Sequence, residues 1–115
     1  MRKRGEKMKK RKTFALSEQD DVILKNEYYT QVRVGEQLSK LFEESFKNDK
    51  IEIEYKIPRN VSTIQKNILL EERILNCYQN KIIDKYNPKN KYMLNYLLSQ
   101  VLSSLAHQLV ESLEK

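Results

Sequence analysis

The last stretch of the chain constrains the fold most. Between Lys91 and Leu113, nine apolar residues fall at helical spacing: Leu94, Leu97, Leu98, Val101, Leu102, Leu105, Leu109, Val110 and Leu113. The stripe covers more of a helix circumference than one antiparallel neighbour hides. Such a helix has to meet either several elements of its own chain or a second subunit, because large contiguous apolar patches are uncommon on monomers. The small residues Ser103, Ser104 and Ala106 permit close approach along one side. A homodimer through the helix at about 91–113 is therefore expected, with Leu94, Leu98, Val101, Leu105 and Leu109 at its interface.

The 115 residues suit one domain of modest core, and only two Gly and two Pro among them favour long regular elements. Lone Cys77 excludes an intrachain disulfide, and with lone His107 it makes no zinc site, which fits a reducing, cytoplasmic setting. No apolar run reaches membrane-spanning length, and no signal-peptide core follows the charged start.

Charge is distributed unevenly. Of a net +6, residues 2–12 (RKRGEKMKKRK) carry eight bases against Glu6, so the remaining residues sum to nearly zero. With no apolar periodicity, residues 1–12 are expected to be a disordered basic arm ahead of a single folded domain at 13–115. A second, weaker basic region runs from Arg59 to Lys91.

Local signals place the elements. Ser17 followed by Glu18, Asp20 and Asp21 marks a helix start, with the hydroxyl accepting from an orphan N–H and acids in the first turn. YTQVRV at 29–34 reads as a short strand. Leu38, Leu41, Phe42 and Phe46 then give a helix to Lys47. In KIEIEYKIP, Ile51, Ile53, Tyr55 and Ile57 alternate with charged residues, the clearest strand pattern in the chain, and Pro58 closes it. Ser62 and Gln65 have capping-box spacing and predict a helix from 62 to Tyr86, which Asn87-Pro88 breaks before the last helix. The expected fold is mainly α with a small β element: four helices and a short ribbon or hairpin.

Few residues suggest chemistry. His107 reads as a surface or interface histidine; the alternative is a general base oriented by Glu111 one turn away. Cys77 reads as a small buried hydrophobe. Glu18, Asp20 and Asp21 have no metal-loop spacing, Glu71-Glu72 reads as a solvated face, and no Gly-rich phosphate loop is present. Neither catalytic nor metal-binding residues are assigned, and no cofactor is expected.

Nucleic-acid recognition has more support. The arm residues Arg2, Lys3, Arg4, Lys7, Lys9, Lys10, Arg11 and Lys12 suit phosphates or a minor groove. Two arrangements can read bases. In a ribbon-helix-helix, a strand from Arg11 to Leu16 precedes helices from Glu18 and up to Phe46; two such strands pair between subunits, with Arg11 and Thr13 toward bases and Phe14 and Leu16 inward. In a winged helix-turn-helix, the helix from Gly35 follows a tight connection and the hairpin near Asp49–Ile57 is the wing. That helix is acidic, with Glu36, Glu43 and Glu44 against Lys40 and Lys47, so the helix beginning at Ser62 is better placed to read DNA. Arg59, Asn60, Ser62, Thr63, Gln65, Lys66 and Asn67 then line its start, and Gln65 or Asn67 can pair with adenine. The expected function is a small dimeric binder of double-stranded DNA, a transcriptional regulator or a replication or partition accessory factor. The alternative is a non-enzymatic interaction module that meets a protein partner through its C-terminal helices.

Overall fold

The computed structural model describes residues 8–114. In chain order it contains β1 (Lys9–Ser17), α1 (Glu18–Tyr28), α2 (Gln31–Lys47), β2 (Thr63–Glu71), α3 (Glu72–Tyr86) and α4 (Lys91–Leu113). The strands form a two-stranded antiparallel ribbon, so the fold is α+β with four helices. Residues 1–7, most of the expected arm, lie outside the described residues. Lys9 to Lys12, expected in that arm, begin β1.

The helix ends follow capping chemistry. The Ser17 side chain accepts from Asp20 N at 3.1 Å, with three acids in the first turn of α1. The helix stops at Tyr29, whose φ of 67° is left-handed, and its N–H closes onto Lys25 O at 2.7 Å. Thr30 then caps α2 by accepting from Arg33 N. Residues 31–34, expected as a strand, are thus the first turn of α2. Val34 joins Leu38 and Phe42 on its buried face, and that packing overrides β propensity. Asn87 ends α3 in the left-handed region, and Asn90 caps α4.

The larger correction concerns residues 62–86. The first part is not helix: Thr63–Glu71 pairs with β1 from Lys9↔Glu71 to Ser17↔Thr63, and the helix begins at Glu72. Ile64 and Ile68 satisfy a helical spacing of four and a strand spacing of two equally well. Pairing with β1 supplies the backbone partners that select the strand.

The two halves repeat one plan. A shift of 54 residues carries Thr13 onto its own ribbon partner Asn67, all of β1 onto β2, and the start of α1 onto that of α3. A pseudo-twofold axis therefore passes through the Thr13–Asn67 pair, whose side chains are hydrogen-bonded at 2.5 Å. The ribbon ends match: Glu18 N donates to Ser62 O, and its equivalent Glu72 N donates to Met8 O, both at 2.9 Å. The buried positions Asp20, Asp21 and Leu24 of α1 become Ile74, Leu75 and Tyr78 in α3. The chain is two strand-helix-helix units, each strand pairing with the other unit's.

The core lies under one ribbon face. Phe14, Leu16, Ile68 and Leu70 point inward onto Leu24, Phe42, Tyr78, Leu98 and Leu102, and the Phe14 ring meets Phe42 edge-on at 5.4 Å. Each such side chain contributes about 1.5–3 kcal/mol by leaving water. The α4 stripe that pointed to a second subunit is taken up inside the chain. The helix packs against β1, α1, α2 and α3. Leu98, Val101 and Leu105 are buried there, with Leu94 and Leu109 packed against the same core.

Serines cover both edges of the ribbon. Ser39 of α2 donates to Leu69 O at 3.0 Å; Ser103 of α4 donates to Ala15 O at 2.6 Å, and Ser99 to Thr13 O at 3.3 Å. Ala15 and Leu69 are equivalents under the pseudo-twofold axis, so the two edges are protected alike.

Residues 51–57 are not a strand, and no wing hairpin forms. Their alternation survives, with Ile51 buried, Ile53, Tyr55 and Ile57 half-buried, and the intervening charged residues exposed. Side chains take the place of a partner strand. The Ser104 hydroxyl accepts from Glu54 N at 3.0 Å and Tyr55 N at 3.1 Å, and Tyr86 OH donates to Ile51 O at 3.2 Å. The connector is an extended strap that crosses α4 and returns the chain to begin β2.

Candidate nucleic-acid interface

Period two in each strand separates a core face from an open face. The open face carries Lys9, Arg11, Thr13 and Ala15 from β1, beside Thr63, Gln65, Asn67 and Leu69 from β2. All are exposed except Thr13 and Ala15, which are half-exposed. Along the ribbon, Arg11 lies across from Leu69, Thr13 from Asn67 and Ala15 from Gln65. Leu69 is 54% exposed and contributes nothing to the core.

The expected site residues divide on this geometry. Lys9, Arg11, Thr63, Gln65 and Asn67 share the open face. Lys10 and Lys12 point the other way: Lys10 reaches Glu72 at 3.3 Å, and Lys12 is half-buried, with its pKa lowered by desolvation. Arg59 and Asn60 sit in an exposed turn ahead of β2; Ser62, not a cap, offers its carbonyl to Glu18. Arg2, Lys3, Arg4 and Lys7 lie outside the described residues. Ala15 and Leu69 join the face without any sequence signal, since an exposed leucine in a strand reads as core.

Lys66 belongs to the interior. It is 8% exposed and reaches Asp21 Oδ1 at 2.8 Å, with the Gln31 side-chain oxygen at 2.5 Å. Asp21 also receives Lys25 at 3.3 Å. The adjacent Asp20 carboxylate lies 2.8 Å from His107 Nδ1, while His107 Nε2 is 3.6 Å from Glu111. The Tyr55 ring stacks on the imidazole at 3.5 Å between centroids. This assembly ties α1, β2, α4 and the connector strap together, and it accounts for His107 as a structural bridge.

The start of α2 borders the open face. Gln31 lies in a small cleft with Gln65 and Asn67, and Val32 in an adjoining one with Lys9, Asn67 and Leu69. The N-terminal N–H groups of α2 are thus next to the ribbon's exposed side chains. Glu36, Lys40 and Glu43 also line that cleft, and at the start of β1 Lys9 lies across the ribbon from Glu71. There the basic run enters the fold.

Among the described residues, no group of three or more His, Cys, Asp or Glu side chains is placed to hold a metal, and no helix is long and apolar enough to cross a membrane. No family model matches the chain, and no match is found among curated proteins or solved structures.

Proposed function

We propose that this chain is a DNA-binding protein of ribbon-helix-helix type, with both strand-helix-helix units on one polypeptide. The observation that carries this reading is the open ribbon face. Exposed Arg11, Gln65 and Asn67 project from a two-stranded ribbon whose other face packs Phe14, Leu16, Ile68 and Leu70 into the core. A two-stranded ribbon fits the major groove. Arginine pairs with guanine O6 and N7, glutamine or asparagine pairs with adenine, and apolar side chains contact thymine methyls. The α2 N-terminus beside the ribbon suits a flanking phosphate. The basic residues before Lys9 add sequence-independent affinity from the same end. A transcriptional regulator or a replication or partition accessory factor uses such a surface, and the reading requires no catalytic group.

A protein-interaction module is the second reading. Its C-terminal apolar stripe is occupied within the chain, which leaves Tyr92, Met93 and Tyr96 as the exposed apolar residues of α4.

The test is fluorescence anisotropy on labelled duplexes across a salt series, comparing the full chain with a truncation beginning at Met8. A cut at Thr13 would remove half of β1. The shorter protein should retain binding while its salt slope flattens by about 3 to 4, since Arg2, Lys3, Arg4 and Lys7 are lost. If neither form binds duplex DNA at low salt, the DNA reading fails and the protein-partner reading replaces it.

A further inference from the structure

In a homodimeric ribbon, two-fold symmetry presents the same residues to both halves of the DNA site, so the target is palindromic. This ribbon has the two-fold backbone without two-fold side chains. The axis through Thr13 and Asn67 superposes Lys9 on Thr63, Arg11 on Gln65, and Ala15 on Leu69. Every pair differs in recognition chemistry. One end of the open face presents Arg11 across from Leu69; the other presents Ala15 across from Gln65. The flanks differ too. The basic run leads into Lys9, whereas the equivalent stretch before Thr63, residues 56–62, holds only Lys56 and Arg59.

The interior holds the two units in this unequal pairing. Lys66 of the second unit is buried against Asp21 of the first, while the equivalent of Asp21 is Leu75. The covalent strap, fastened by Ser104 and Tyr86, makes both strands available within one chain.

Resting on the DNA-binding reading above, we infer that one copy of this chain recognises a single non-palindromic duplex site. Arg11 specifies guanine at one end, and Gln65 specifies adenine at the other. Leu69 and Ala15 lie against thymine methyls beside them, each a contact that the open face and its register permit.

The experiment is selection of binding sites from a random duplex library by the full chain, followed by sedimentation of the complex on the recovered sequence. The expected result is a motif without two-fold symmetry and one chain per duplex. Arg11→Ala should weaken binding to that site roughly 5- to 150-fold and relax preference at one end, and Gln65→Ala should do the same at the other. Combining Thr63→Lys, Gln65→Arg, Asn67→Thr and Leu69→Ala gives both strands one open face and should turn the selected motif palindromic. These positions face solvent, and the two single variants carry the test if the fourfold variant misfolds. A palindromic motif with two chains per duplex for the natural protein would overturn this inference and leave DNA binding standing. So would equal relaxation at both ends in the single variants. Failure to bind any duplex at low salt would overturn the DNA reading, and this inference with it.

Discussion

The buried Lys66–Asp21 pair tests the internal repeat through stability. The side chains are 9% and 5% exposed and meet at 2.8 Å, so neither charge has much water. Removing one partner leaves the other buried and uncompensated, which costs about 3–5 kcal/mol. Asp21→Leu leaves the Lys66 ammonium with only the Gln31 amide and should fall in the upper part of that range. Lys66→Met leaves Asp21 with half-exposed Lys25 at 3.3 Å, so its cost should be nearer about 3 kcal/mol. Against a typical total stability of about 5–15 kcal/mol, either change is severe, and should lower Tm by roughly 10 °C or more. The repeat indicates half of the rescue: Leu75 occupies the position equivalent to Asp21, whereas the equivalent of Lys66 is the half-buried Lys12, so the deeper Lys66 has to be made apolar as well. The double variant Asp21→Leu with Lys66→Met should therefore return to within about 1 kcal/mol of the parent, or exceed it. Urea unfolding of all four proteins closes a double-mutant cycle, with an expected coupling of several kcal/mol. Single variants within about 0.5 kcal/mol of the parent would show that water reaches the pair. A double variant as unstable as the worse single would show that an apolar pair cannot fill this site. Lys66→Met should leave the salt slope of DNA binding unchanged, since its ammonium faces the core.

Other expectations follow from particular contacts. Ser104→Ala removes the acceptor for two backbone N–H groups of the strap and should cost about 1–3 kcal/mol, read by thermal unfolding. Phe14→Ala, which empties the ribbon's contact with Phe42, should cost about 3–5 kcal/mol. A Cβ at Gly35, within α2, would meet no atom within 4 Å, so Gly35→Ala should stabilise by about 0.5–1 kcal/mol; destabilisation would mean that α2 is held otherwise. Burial raises the Tyr78 phenol well above its usual 10.0, so the folded state retains that proton where the unfolded chain releases it. This contribution is complete below pH 10 and declines as pH rises beyond it, so alkaline unfolding should begin there and be blunted in Tyr78→Phe.

Much of the architecture was already decided by neighbours in the chain. Ser17 with its three following acids starts α1, the Asn87-Pro88 break and Asn90 separate α3 from α4, and Phe14 and Leu16 mark the inward side of β1. These signals are local, because a cap or a period needs only residues within a turn or two. Residue chemistry alone singles out Arg11 and Gln65, which the ribbon places on its open face, although the spacing of Ser62 and Gln65 predicts a helix there. What only tertiary structure decided is nonlocal. β2 is a strand because β1, 54 residues away at the ribbon centre, satisfies its backbone. Its alternation was masked at two points: Lys66 turns inward to meet Asp21, and Leu69 turns outward onto the open face. The strap has a strand's pattern without a strand's partner because Ser104 and Tyr86, both distant in sequence, take that role. The apolar stripe of α4 specified how much surface had to be covered. Which surface covered it depended on the second strand-helix-helix unit folding back onto the first, and no periodicity within one helix encodes that event.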